Sequence, residues 1–235
     1  MHASISNTKF LNKAKALLFK IGLVRFFALS RKRVGALQQL GWFETNMEKL
    51  LVSGKQPKPW FVYGAIDYLE HIVAPSSRVL ELGGGGSTLF WLNRGNPVTT
   101  IEQDTAWSGL LNKAVGVSGS WKLVEVSGID LKTLEDLEVN QKFDVIVNDF
   151  NSETSRGDVA DWIDERLATN GLIIWDNSDR QDYSAGIERL KSLGYGWVSF
   201  FGLGPINAYA FETTIFSKAF TQPTWEISPR KRILY

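Results

Sequence analysis

Short apolar runs alternate with helix-like stretches along most of this chain, and that alternation restricts the possible folds more than any other feature. "RVLEL" (78–82), "VTTIEQ" (98–103), "WKLVEV" (121–126), "FDVIVNDF" (143–150) and "LIIWDN" (172–177) read as strands. Between or before them, "WFVYGAIDYLEHIV" (60–73), "STLFWLNR", "AWSGLLNKAVG", "DVADWIDERLATNG" (158–171) and "AGIERLKSLGYG" read as helices, with Gly171 closing the fourth. Strands that are apolar throughout and joined through helices form a parallel sheet covered on both faces. "WVSFFG" and "ETTIFSK" (212–218) are joined by "LGPINAYAF", which has no room for a crossover helix, so these two strands pair antiparallel. The expected fold class is α/β, a doubly wound, seven-stranded, mostly parallel sheet with an antiparallel last strand.

The first strand runs into "ELGGGGST", four consecutive glycines where the backbone must turn sharply or approach something closely. A dinucleotide fingerprint does not fit: from Gly83 and Gly85 the third glycine position is Thr88, and from Gly84 and Gly86 it is Leu89. A P-loop does not fit either, because no lysine follows. Ligands in open α/β sheets bind beyond the carboxyl ends of the strands. Three acids stand at such places. Glu81 lies on the first strand, where a buried carboxylate needs a partner such as a cationic amine. Glu102 ends the second strand, 19 residues beyond Gly83, where a carboxylate can accept from both hydroxyls of a ribose. Asp130, in "SGID", is placed to receive an adenine amino group or to sit exposed in its loop.

"VLELGGGGST", "IEQD", "DVIVNDF" and the antiparallel end, in that order, resemble the class I S-adenosylmethionine (SAM)-dependent methyltransferases over about residues 60–218. The resemblance implies SAM as cofactor. It assigns the methionine part to the loop from Glu81 through Gly83 and Gly85, and the ribose to Glu102. The cofactor-binding set that follows is Tyr63, Glu81, Gly83, Gly85, Ser87, Thr88, Glu102, Gln103 and Asp130, with Ser87 also able to cap its helix and Tyr63 covering SAM. "NDF" and "WDNSD" at the ends of strands four and five resemble the cation-dependent O-methyltransferases, which implies Asp149, Asp176 and Asn177 as ligands of Mg²⁺ or another divalent cation. The family's lysine base three residues beyond Asp149 is replaced here by Ser152, and the nearest basic residue is Arg156. Without a metal, Asp149 serves as general base. The acceptor class is a small molecule or glycan. Trp42, Trp60, Trp91, Trp107 and Trp175 are candidates to line its site. The competing readings are a catalytically silent SAM- or nucleotide-binding protein of the same fold, and a membrane-associated binding protein.

Charge is uneven along the chain. Eight Lys and Arg precede the first acid, Glu44, and the rest carries 18 basic against 25 acidic residues, about −7. An acidic body argues against nucleic acid as a partner. Phe10, Ala14, Leu17, Ile21, Val24 and Ala28 recur at helical spacing among lysines, so residues 1–43 read as a basic amphipathic extension and 44–235 as the catalytic domain. That extension either docks on the domain, lies on an anionic membrane through residues 9–33, or directs the chain to an organelle. The expected location is cytoplasmic, with peripheral membrane contact as the alternative. With no cysteine and only His2 and His71, thiol chemistry is excluded and histidine chemistry has little room.

Overall fold

The structure, a computed structural model, describes residues 30–31, 34–43, 57–137, 139, 141–150 and 156–221. The basic segment expected over residues 9–33 lies outside the described residues apart from 30 and 31. Among the described residues no helix is long and apolar enough to cross a membrane.

From Tyr63 onward the elements alternate as expected, with one helix, α4, that the sequence pattern does not show: α1 (Tyr63–Ile72), β1 (Val79–Leu82), α2 (Gly86–Asn93), β2 (Val98–Glu102), α3 (Thr105–Val115), β3 (Trp121–Glu125), α4 (Leu131–Glu135) and β4 (Phe143–Asn148). A single 3₁₀ turn, Arg156–Val159, leads into α5 (Ala160–Arg166), followed by β5 (Leu167–Asp176), α6 (Ser184–Ser192), β6 (Gly196–Gly202) and β7 (Phe211–Ser217). The seven strands form one sheet in the order β3-β2-β1-β4-β5-β7-β6. β7 alone runs against its neighbours, pairing antiparallel with both β5 and β6.

Period-two alternation divides the core between the two faces of the sheet. Leu80, Leu82, Ile146, Ile173, Trp175 and Phe216 pack on one face beneath α5 and α6. Val79, Val145, Val147, Ile174 and Ile215 pack on the other with α1. Ile66 and Leu69 of α1 close over that second face, each removing from water roughly the 2 kcal/mol of transfer free energy of a large aliphatic side chain. β1, β2 and the end of β5 are buried on both faces, which is why their sequences show no polar alternation.

One helix is shorter than expected. The run 158–171 leaves helix at Arg166, and Leu167 already belongs to β5, opposite Phe143. Gly171 therefore does not cap a helix. It follows Asn170, whose φ is +58°, at an irregularity in the strand where an added Cβ would stand 3.0 Å from Asp144 O. Asn177 likewise lies just past β5 rather than in it, with φ +55°.

Candidate functional site

The strand order reverses between β1 and β4, and the cleft opens at the carboxyl ends of β1, β2, β4 and β5 around that point. Its volume of about 450 Å³ falls within the 300–1,000 Å³ typical of small-molecule sites. One side is the glycine loop with Glu102 and Trp107; the other is Asp149, Arg156, Asn177 and Arg180.

Each glycine answers to a different neighbour. Gly83 has φ +85°, and a Cβ there would stand 2.7 Å from the Asp149 carbonyl oxygen and 2.8 Å from Phe150 Cα. The first glycine thus lets the ends of β1 and β4 meet. At Gly84 a Cβ would strike the side chains of Thr100 and Leu111, and at Gly86 the carbonyl of Lys58. Only Gly85 is open, with Trp107 Cζ2 at 3.9 Å as its nearest neighbour. Side chains are excluded at Gly83, Gly84 and Gly86 by internal packing, whereas Gly85 has room for one; all four line the cleft.

Glu81 is fully buried beneath this loop. Its Oε2 accepts from Thr88 Oγ1 at 2.5 Å and from Thr100 Oγ1 at 3.1 Å. Thr88 in turn accepts the Gly85 N–H at 3.1 Å, and Thr100 accepts from Trp121 Nε1 at 3.0 Å. Burial pushes the Glu81 carboxyl up to about 7, against the pull of the Ser87, Thr88 and Thr100 hydroxyls. Oε1 has no hydrogen-bond partner among the described residues. Glu81 does not itself line the cleft; its Oε2 is held by the loop's own scaffold.

Glu102 does line it. Its Oε2 accepts the Gly84 N–H at 2.9 Å, and Oε1 accepts the N–H groups of Gln103 and Asp104 at 2.8 and 2.9 Å. Each carboxylate oxygen has further acceptor capacity toward the cleft. Gln103 lines the cleft as well and accepts from Ile129 N. Asp104 caps α3 through Ala106 N and Trp107 N. The Trp107 indole donates to Gly84 O at 2.7 Å and lies 5.8 Å from the Trp60 ring, so an aromatic pair borders the glycine loop. Ser87 lines the cleft, whereas Thr88 is turned inward to Glu81.

Two members of the expected cofactor set stand elsewhere. Asp130 caps α4, accepting from Thr133 N and Thr133 Oγ1, and does not line the cleft. Tyr63 is buried against β6 in a separate depression with Phe200 and Leu203. Of the five tryptophans, Trp60 and Trp107 reach the cleft, Trp91 and Trp175 are fully buried in the core, and Trp42 donates to Asn207 O.

On the far side, Asp149 Oδ1 accepts from Arg156 Nη2 at 2.9 Å. Arg156, only 3% exposed, also donates from Nε to Phe150 O at 2.6 Å and from Nη1 to Asp176 O at 2.8 Å. Its backbone is fixed because Gly157 lies against Gly186 of α6, where a Cβ would come within 2.5 Å of Gly157 Cα. The Asp176 carboxyl is drawn away from the cleft: Oδ1 accepts from Thr213 Oγ1 at 2.5 Å, and Thr213 accepts the Val62 N–H. Burial pushes both aspartates up. The charge of Asp149 raises Asp176 further, while Arg156 pulls Asp149 back. A divalent cation does not fit this arrangement. A guanidinium already bonds the two strand ends that would supply the ligands, and the Asp176 carboxyl, one of the three expected, is held by Thr213 and does not line the cleft. Arg156 figured in the sequence only as the nearest basic group. Arg180 and Thr213 carried no signal beyond lying near strand ends.

No family model matches the sequence, and no curated protein does. Solved structures do resemble it. A candidate caffeoyl-CoA O-methyltransferase from Staphylococcus aureus superposes with a TM-score of 0.53 at 15% identity, covering 86% of this chain and 99% of the other. A candidate O-methyltransferase from Klebsiella pneumoniae gives 0.51 at 21% identity, over 61% of this chain and 74% of the other.

The chain has the class I methyltransferase fold.

A third structure with that fold, an O-methyltransferase of Streptomyces achromogenes involved in tomaymycin synthesis and solved with SAM, gives 0.51 at 18% identity over 67% and 81%. In this methyltransferase fold the glycine loop, Glu102 and Asp149 fall at three of the strand ends expected to bind ligands.

Proposed function

We propose that this protein transfers the methyl group of SAM to an oxygen of a small-molecule or glycan-like acceptor. The observation that carries this reading is the tie between Glu102 and the glycine loop. A carboxylate with spare acceptor capacity is fixed by the Gly84 N–H within a glycine loop that lines the cleft. A nucleoside with a ribose suits that pair, and Thr88 in place of the third glycine departs from the dinucleotide loop that holds a pyrophosphate. The Trp60–Trp107 pair offers an apolar wall for a purine.

When bound, SAM supplies an electrophilic methyl carbon, whose bond to sulfur is exchanged for one to the acceptor oxygen. Asp149 faces the cleft with a side chain 26% exposed and receives the acceptor's hydroxyl proton as general base. Arg156 holds that carboxylate in place through Oδ1. Arg180, exposed at the same side of the cleft, stands where an acceptor enters.

Calorimetric titration with SAM, its demethylated product, NAD and ATP tests the cofactor. SAM and the demethylated product should bind, and Glu102→Ala should weaken both at least tenfold, the effect of about 1.4 kcal/mol. Preference for NAD would overturn the proposal. Transfer of labelled methyl to a panel of hydroxylated acceptors, abolished in Asp149→Ala, then tests the reaction. SAM binding with no transfer to any acceptor would favour the catalytically silent reading.

A further inference from the structure

The two strand ends that carry the oxygen ligands implied by resemblance are already bridged by a side chain: Arg156 donates to the Asp149 carboxylate and to the Asp176 carbonyl. We propose that the Arg156 guanidinium is the resident cation of this site and that its chemistry is independent of divalent metal ions. This rests on the methyl-transfer reading above for the reaction, but not for the cation.

Arg156 lies where β4 and β5 end side by side. It reaches β4 through the carbonyl of Phe150 and the carboxylate of Asp149, and β5 through the carbonyl of Asp176. These are the two strand ends on which the expected metal ligands stand. Its plane stacks near the Tyr183 ring at 4.9 Å, with Phe150 at 5.9 Å. A guanidinium is charged at every accessible pH and is weakly hydrated, so it tolerates such burial as a divalent ion with its water shell does not. Its planar fork spreads donors in several fixed directions, which matches acceptors lying on different strands. A divalent ion bound to Asp149 would face this fixed positive charge at close range. Asp176 cannot compensate, because its carboxyl is committed to Thr213 and does not line the cleft.

The arginine is also locked from behind. Gly157, its neighbour, packs on Gly186 of α6, which itself lies against the Trp175 ring, so the turn is held between the arginine and that helix. Arg156 is therefore a positioning residue. It fixes the rotamer of Asp149 and supplies the positive charge that the related cation-dependent enzymes obtain from a metal.

The test is a titration of the full-length protein with Mn²⁺, followed by electron paramagnetic resonance, with and without SAM. The wild-type protein should bind no Mn²⁺ at submillimolar concentration. R156Q removes the charge and leaves Asp149 uncompensated, so it should acquire a Mn²⁺ site that the double variant R156Q/D149N lacks. Thermal unfolding of each variant establishes that it is folded. If R156Q does not fold, wild type against D149N decides without it: a wild-type Mn²⁺ site that D149N abolishes overturns the proposal, and equal absence in both supports it. A folded R156Q that gains no site also overturns it, because Arg156 would then not be standing in for a cation. Failure of the protein to bind SAM would remove the methyl-transfer reading and leave the Mn²⁺ result intact.

Discussion

Thr88 donates its hydroxyl to the buried Glu81 carboxylate at 2.5 Å while accepting the Gly85 N–H. One small side chain thereby links the acid beneath the loop to the one loop glycine with room for a side chain. Thr88→Val keeps the shape and removes both bonds. It should cost about 2–3 kcal/mol of stability, since a buried polar group loses a partner, and weaken SAM binding about tenfold or more. Urea unfolding and calorimetry measure the two. Thr88→Ser, which keeps the hydroxyl, should recover most of both losses.

Stability should also carry a pH signature from Glu81. Its folded pKa of about 7 lies above the ordinary 4.5, so between those values the folded protein holds the proton and the unfolded chain does not. The contribution of Glu81 is therefore most favourable below about pH 4.5. It declines as pH rises through the window and levels off above about 7, a total change of roughly 3 kcal/mol. Glu81→Gln should remove this component, so that wild type loses stability relative to the variant from pH 5 to 8. A stability difference that stays constant over that range would refute the assignment.

The glycines should separate by experiment into packing and contact. Gly83→Ala forces a Cβ against the Asp149 backbone at positive φ and should destabilise by about 2 kcal/mol or more. Gly85→Ala meets only open cleft, so unfolding should shift by no more than about 0.5 kcal/mol. Its SAM affinity should nevertheless fall. Thermal melts and SAM titrations of the pair are sufficient.

Gly186→Ala tests the support of Arg156 from a distance. The new methyl would stand 2.5 Å from Gly157 Cα and 2.6 Å from Trp175 Cη2, displacing the turn that carries the arginine. Overpacking of this kind costs roughly 1–3 kcal/mol. Turnover should fall more than SAM affinity, because Arg156 acts on Asp149 and not on Glu102 or the glycine loop.

Much of this was legible in the residues themselves. β1, β2 and β4 announce themselves because strands buried on both faces cannot carry polar alternation. The acid at Glu81 was visible as an anomaly, but its partners, seven and 19 residues away, depend on how α2 and β2 settle around it. The beginning of β5 was hidden because "RLATNG" continues a good helix locally, and only pairing with Phe143 draws it into the sheet. Asp176 looked like a cleft residue as long as its partner Thr213, 37 residues on, was unknown. Arg156 could be noticed as a nearby base, but its approach to β5 follows from Gly157 meeting Gly186, a contact between two helical segments that no local pattern encodes.

Among the described residues β7 is the last strand; it lies between β5 and β6 and is the only sheet partner of β6 there. During synthesis, β6 thus emerges with nothing to pair with until Phe211–Ser217 has followed it. The same late segment brings Thr213, which takes the backbone N–H at the start of α1 and holds the Asp176 carboxyl. A nascent chain can assemble the glycine loop and Glu102 from its first strands, but the end of β5 is fastened only when β7 slots in. The two sides of the cleft are thus fixed by segments that leave the ribosome at different times.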